Sequence, residues 1–221
     1  MRLVIVCEGQ TEQEFVKKVL SPVVRGLDVE APLIKKSKGG IVAWEVLKKQ
    51  LVMHCHEGAP FVTTLIDFYG IKDHHHFPRW EEGKTISDKE ARVEFLEKAM
   101  KEDLAEDDRY LFYPYLQLHE FESLLFSNQD ALFSLFETKD IRDRKALQDV
   151  FSQFPNPELI NDSPLTSPSQ RLASAIIEYD KVLYGPLLAE AIGLSSMIER
   201  CPHFAQWVAT LQEIAQREGG K

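Results

Sequence analysis

Apolar and polar positions alternate along the first half of the chain in blocks that read as strand, helix, strand, helix, strand, helix, strand. Leu3-Val4-Ile5-Val6-Cys7 is a short apolar run that stops at Glu8-Gly9, the signature of a buried strand. Apolar pairs then recur every four residues at Phe15/Val16, Val19/Leu20 and Val23/Val24, which predicts one face of a helix. Pro22 lies within it and is positioned to kink or end it early. A second strand is predicted over Val29 to Ile34, then a helix from Ile41 to His54 with Ile41, Trp44, Leu47 and Leu51 on one side. Phe61 to Ile66 reads as a third strand ending at Asp67. Residues 71–87 are polar, aromatic and irregular, a long loop. Asp88 to Leu104 returns to helix, with Ser87 or Asp88 as N-cap. Tyr110 to Leu118 reads as a fourth strand running into His119-Glu120-Phe121-Glu122.

This alternation predicts an α/β fold: a mainly parallel sheet of about four strands flanked by helices. After about residue 127 strand signals fade. Residues 129–153 look helical, and 154–168 form a connecting loop holding Pro155, Pro157, Pro164 and Pro168. The remainder is helical and ends with Phe204, Trp207, Val208 and Leu211 on one face. The expected organisation is an α/β core over residues 1–127 and an α-helical C-terminal extension over 128–221, packed on the core.

Composition adds bounds. A chain of 221 residues with 44% hydrophobic and 28% charged residues suits a globular protein that buries a full core. The net charge of −9 argues against a protein that coats nucleic acid, since Lys and Arg drive phosphate binding. A nuclease with an acidic metal site stays compatible, because the metal supplies positive charge at the reacting phosphate. Cys7, Cys55 and Cys201 form no CxxC pair, so neither a disulfide framework nor a zinc ribbon is indicated. With no signal region and no apolar run near membrane-span length, a cytoplasmic protein without a membrane partner is expected.

Candidate chemistry lies where the strands stop. The first ends at Glu8, the third at Asp67, the fourth at Glu120 or Glu122. In a parallel sheet these ends share one edge, where ligands of open α/β sheets bind. Converging carboxylates would suit Mg²⁺ or Mn²⁺, which bind through one or two carboxylates, waters and substrate phosphates. One glutamate could instead move a proton. The plainer explanation is that acids favour helix starts for their dipole; Glu12, in the first turn of a helix, fits either role.

The residues also carry a resemblance. Cys7-Glu8-Gly9-Gln10-Thr11-Glu12 is similar to the EGxTE motif of Toprim-type domains, shared by topoisomerases, primases and OLD-family nucleases. Asp67-Phe68-Tyr69-Gly70 sits where those domains place their DxD acids. His119-Glu120-Phe121-Glu122-Ser123-Leu124-Leu125-Phe126, Pro168-Ser169-Gln170-Arg171-Leu172 and Cys201-Pro202-His203-Phe204-Ala205-Gln206-Trp207 resemble the Toprim-like domain-of-unknown-function family 4276. The resemblance implies a Toprim-like fold, an Mg²⁺-dependent nuclease-type site and association with bacterial defence or an ATPase partner. By position, Glu8 would be the general acid/base and Asp67 a metal ligand, with Glu120, Glu122 and Glu12 completing or supporting the cluster. Tyr69 stands where a second Asp would be expected, which removes a ligand.

Further candidates surround this cluster. His119, beside the acids, could assist proton transfer, bind phosphate or only orient a carboxylate. Lys36 and Lys38, in the turn Lys35-Lys36-Ser37-Lys38-Gly39-Gly40, could cradle phosphate, although the turn lacks P-loop order. Arg171 is a candidate phosphate clamp if the tail folds back over the site. His74-His75-His76 reads as a solvated loop, and Tyr113, Tyr115 and Trp207 as core packing more than a base-stacking platform. No GxSxG elbow occurs, and Cys55 between His54 and His56 implies no dyad. The leading expectation is a phosphodiester-cleaving enzyme with nucleic acid as substrate. The alternative is an inactive binding module that partners an ATPase; a third reading is an enzyme acting on a small nucleotide. A second copy of the chain is a further candidate partner.

Overall fold

The structure, a computed structural model, describes residues 1–37, 39–160, 163 and 165–219. Strand β1 (Arg2–Cys7) pairs in parallel with β2 (Asp28–Glu30) on one side and β3 (Phe61–Asp67) on the other. Beyond β3 lie two short parallel pieces, β4 (Phe112–Tyr113) and β5 (Leu116–Gln117). The sheet order is therefore β2-β1-β3-β4, with β5 also on β3. The predicted α/β class and parallel sheet are present.

Period-two alternation in β1 divides the core. Leu3, Ile5 and Cys7 face one cluster, while Val4 and Val6 face the other, and all five are fully buried. The Val4/Val6 side is covered by α2 (Trp44–His56) and α4 (Lys89–Glu102), through Trp44, Leu47, Leu51, Val93, Leu96 and Met100. Asp88 caps α4 by accepting from the Ala91 amide at 2.8 Å. Between these helices the predicted loop holds two short helical turns, Asp73–His75 and α3 (Trp80–Gly83).

The opposite face carries α1 (Gln10–Phe15) and the helices of the second half. The helix begun by α1 passes into a π turn over Val16–Leu20 and a 3-10 turn over Ser21–Val23, which contains Pro22. After the four-residue α5 (Glu106–Arg109) come α6 (Gln129–Ser134), α7 (Arg144–Gln153), α8 (Pro168–Ala175), α9 (Lys181–Arg200) and α10 (Pro202–Gly219). One apolar cluster joins Leu3 and Ile5 of the sheet to Leu188, Ile192, Phe204, Val208 and Leu211 of α9 and α10. Helix α9 also has the length and apolarity of a membrane span, which the sequence pattern alone did not suggest. Its Leu188, Ala189, Ile192 and Met197 are nevertheless buried against the rest of the chain.

The predicted strand over Tyr110 to Leu118 is broken in two. Pro114 has no N–H to give the ladder, and Thr64 fills the gap with its side chain. The Thr64 hydroxyl donates to Tyr115 O at 2.7 Å and accepts from Tyr115 N at 3.0 Å. Tyr115 then stacks between His203 and Trp207, with ring centroids 5.1 and 4.4 Å away. The Trp207 indole N–H donates to Thr63 Oγ1 at 2.9 Å, so α10 is bonded directly to β3. Glu158, fully buried, accepts the His203 and Phe204 amides at the start of α10. Burial outweighs those bonds and pushes its carboxyl up to about 7.

The contact that sets α9 against α1 is made by a glycine. A Cβ on Gly185 would stand 2.5 Å from Cγ2 of the buried Thr11. The Thr11 hydroxyl in turn reaches Lys181 O at 3.4 Å, so this close approach fixes where α9 begins. Gly185→Ala is expected to destabilise the protein by about 1–2 kcal/mol, because overpacking exceeds the helix-propensity gain. Thr11→Ser, which deletes the opposing methyl, should restore most of the loss. Chemical denaturation of the two single variants and the double variant measures both effects; additive losses would show that the two residues do not meet.

Candidate metal and phosphate site

The parallel sheet delivers its strand ends to one edge, and the acids follow. Glu8 is the first residue after β1, and its amide still donates to Leu65 O of β3 at 3.1 Å. Asp67 is the last residue of β3. After β5 the chain turns sharply at His119, a non-glycine residue at φ 70°. That turn leads into Glu120 and the 3-10 segment Phe121–Phe126, which carries the almost fully buried Glu122.

Backbone hydrogen bonds tie these acids to the sheet edge. Glu8 Oε2 accepts from Asp67 N at 2.9 Å, and Asp67 Oδ1 accepts from Phe121 N at 2.8 Å. Glu120 Oε2 accepts from Ser169 N at 3.0 Å, inside the first turn of α8. Glu12, in the first turn of α1, has its carboxylate favoured by its own backbone amide and that of Gly9, and also lines the same recess. A structural function and an exposure to ligand therefore coexist in Glu12.

The recess has a volume of about 550 Å³. Its floor is Glu8, Glu12 and Asp67; one wall runs from Leu33 and Ile34 to Gly39 and Gly40, and the other is Lys181 with Val182. Gly39 and Gly40 take left-handed φ values of 93° and 116°, conformations that strain other residues. A Cβ on Gly40 would lie 3.8 Å from Glu8 Oε1, and one on Gly70 would lie 3.5 Å from it. The second oxygen of Glu8 therefore lies beside both glycine loops, at ordinary contact distance.

Burial raises the carboxyls of Glu8, Glu12, Asp67 and Glu122, and their mutual repulsion adds to it. Glu122 is pushed up to about 7. Lys181 opposes this. Desolvation lowers its own ammonium, but the charges of Glu122, Glu12, Asp67 and Glu8 outweigh that and the net shift is upward. The Tyr179 hydroxyl, two residues earlier, is buried without a partner among the described residues, and Glu122 and Glu120 both act on it.

Of the residues singled out in the sequence, Glu8, Asp67, Glu120, Glu122 and Glu12 are brought to one edge. His119 is buried next to Glu120, and its carbonyl accepts from Tyr69 N at 3.0 Å, a bond that joins two site loops. Lys36 sits in the neighbouring turn but does not line the recess; Lys38 lies outside the described residues. Arg171 is turned to its own loop, its Nε donating to Thr166 O at 2.6 Å. Lys181 is the charged residue of the recess that the sequence did not single out. It follows the α9 N-cap Asp180, and nothing in its local sequence separates it from an ordinary surface lysine.

The donor set suits a hard divalent cation: carboxylate oxygens only, repelling one another, with a recess in front of them. It is not a finished cage, since no group of three or more His, Cys, Asp or Glu among the described residues is spaced to hold a metal. Glu8 and Asp67 both line the recess and are linked by the Asp67 amide donating to Glu8 Oε2.

Lys181→Met should lower stability at pH 8 by about 1 kcal/mol, a modest value because solvent screens the partly exposed ammonium. The sign follows from the raised carboxyls. As pH falls through their folded pKa values they take up protons, and the lysine has less charge left to neutralise. Melting curves should therefore separate wild type from Lys181→Met at pH 8 and converge near pH 5. An equal gap at both pH values would mean that Lys181 does not act on these acids.

Comparison with curated proteins and with solved structures returns no match. A family profile described as Domain of unknown function (DUF4276) matches residues 7–212. That span begins one residue before Glu8, takes in every acid of the recess and runs into α10; the chain belongs to the DUF4276 family.

Proposed function

We propose that the acidic recess is a divalent-cation-dependent, nuclease-type site that processes phosphodiester bonds in nucleic acid. The carrying observation is the arrangement of Glu8 and Asp67, hydrogen-bonded to each other across adjacent parallel strands and facing a recess that Lys181 overlooks. The Toprim-like motif at Cys7–Glu12 supports the same reading, as does the position of Asp67. Mg²⁺ or Mn²⁺ held by Glu8 and Asp67, with support from Glu12, Glu120 and Glu122, would neutralise phosphate charge and acidify a bound water.

The chain's own groups define the rest of the chemistry. Glu8, whose carboxyl burial raises above its ordinary value, would accept a proton from a water attacking phosphorus. The phosphorus–oxygen bond to the leaving group then breaks, and the leaving oxygen takes a proton from solvent. Lys181 is placed to hold a non-bridging phosphate oxygen as a point charge. The three buried thiols, Cys7, Cys55 and Cys201, suit a reducing cytoplasm.

A second reading is favoured by specific observations. Tyr69 replaces an expected acid, and backbone amides already occupy one oxygen each of Glu8, Asp67 and Glu120. On that reading the recess is a vestige, and the chain is a binding module for an ATPase partner, possible in a bacterial defence system.

Thermal unfolding with millimolar Mn²⁺ or Mg²⁺ separates the two. The site reading predicts a concentration-dependent rise in Tm for wild type that disappears in Glu8→Gln and Asp67→Asn. It also predicts that Glu8→Gln lowers the rate of phosphodiester cleavage by about 100-fold or more. Equal Tm values with and without metal, and no effect of either substitution, would favour the vestigial module.

A further inference from the structure

The shape of the recess restricts what can enter it. Its volume of about 550 Å³ is that of a small-ligand pocket, enough for one nucleotide unit and far less than a duplex segment. Of the acids that line it, Glu12 is 5% exposed and Glu8 and Asp67 are partly buried. They are overlooked on one side by Leu33, Ile34, Ser37, Gly39 and Gly40 and on the other by the start of α9. A double helix presents its phosphates on a rigid convex surface, which cannot be drawn down between two such walls. Enzymes that act on a base in a recessed pocket take it from a single strand or turn it out of the stack, and a nucleotide drawn between these walls meets the same constraint.

The walls carry the same message. Leu33, Ile34 and Val182 give the recess apolar sides that a base or sugar can lie against, above a floor of oxygens and Lys181. A duplex binder would instead need an extended basic rim, since each phosphate contact takes a Lys or Arg, and the chain carries a net charge of −9.

We propose that the recess takes one nucleotide unit at a time, from a flexible single strand, a chain end or a small nucleotide ester, and that it excludes the interior of an intact double helix. This rests on the phosphodiester reading above and names its substrate class.

The test is a rate comparison with the full chain and Mn²⁺ over four substrates. These are a single-stranded oligonucleotide, a covalently closed duplex circle, a dinucleoside monophosphate and bis(p-nitrophenyl) phosphate. The expected result is cleavage of the single strand at least tenfold faster than nicking of the closed circle. Cleavage of the dinucleoside monophosphate at a rate close to that of the oligonucleotide would identify the small ester as the source; a much slower rate would identify the polymer strand. Val182→Trp, at a position 48% exposed where the fold tolerates bulk, should narrow the mouth. It should cut single-strand cleavage at least tenfold while leaving the Mn²⁺-induced rise in Tm in place. Equal rates on the circle and the single strand would overturn the inference and leave the metal-dependent reading standing. Turnover of bis(p-nitrophenyl) phosphate without any nucleotide substrate would do the same. No turnover of any of the four would remove both.

Discussion

Buried carboxyl groups that lack matching counter-charge are costly, and this fold gathers several at one sheet edge. Glu8, Glu12 and Asp67 line a recess with Lys181, Glu122 lies close enough to act on them, and burial and mutual repulsion raise all four. Each ion taken out of water costs several kcal/mol unless paired or hydrogen-bonded. The surroundings meet part of that cost. Asp67 N serves Glu8, Phe121 N serves Asp67, Ser169 N serves Glu120, and Lys181 supplies one positive charge. The proposed cation would offset what is left over.

The helical half of the chain is tied to this demand. Helix α9 places Lys181 because Gly185 lets it rest on Thr11, and α8 places the Ser169 amide on Glu120. Helix α10 is fastened to β3 through Trp207, to Tyr115 beyond β4 by ring stacking, and to the loop that carries Glu158. The second half therefore completes the site as well as covering one face of the sheet. Removing its contacts would leave the acids of the first half with less compensation than they have now.

How much of this was legible follows from the physics of each signal. Glu8 and Asp67 were readable because an apolar run that stops at an acid is local, and parallel pairing brings such ends together. Glu120 and Glu122 were readable as a pair, but not their roles, which depend on the left-handed turn at His119. The break at Pro114 carries a local signal that the strand prediction over Tyr110 to Leu118 overrode: a proline inside a strand pattern argues against a continuous ladder. Lys181 and Glu158 carry none. Their positions are set by long-range packing, Lys181 by the return of α9 onto α1 and Glu158 by the amides of α10. Lys36 and Arg171 show the converse: basic residues near glycine or a helix start match a phosphate pattern, yet neither lines the recess.

The central claim is that the strand-end acids hold a divalent cation. Anomalous diffraction from crystals soaked in Mn²⁺ tests it most directly, because it locates the ion without requiring a substrate or a partner. The account predicts an anomalous peak in the recess, in contact with carboxylate oxygens of Glu8 and Asp67. A saturating soak that leaves the recess without a peak, or that places Mn²⁺ only on exposed side chains such as His74, would contradict it.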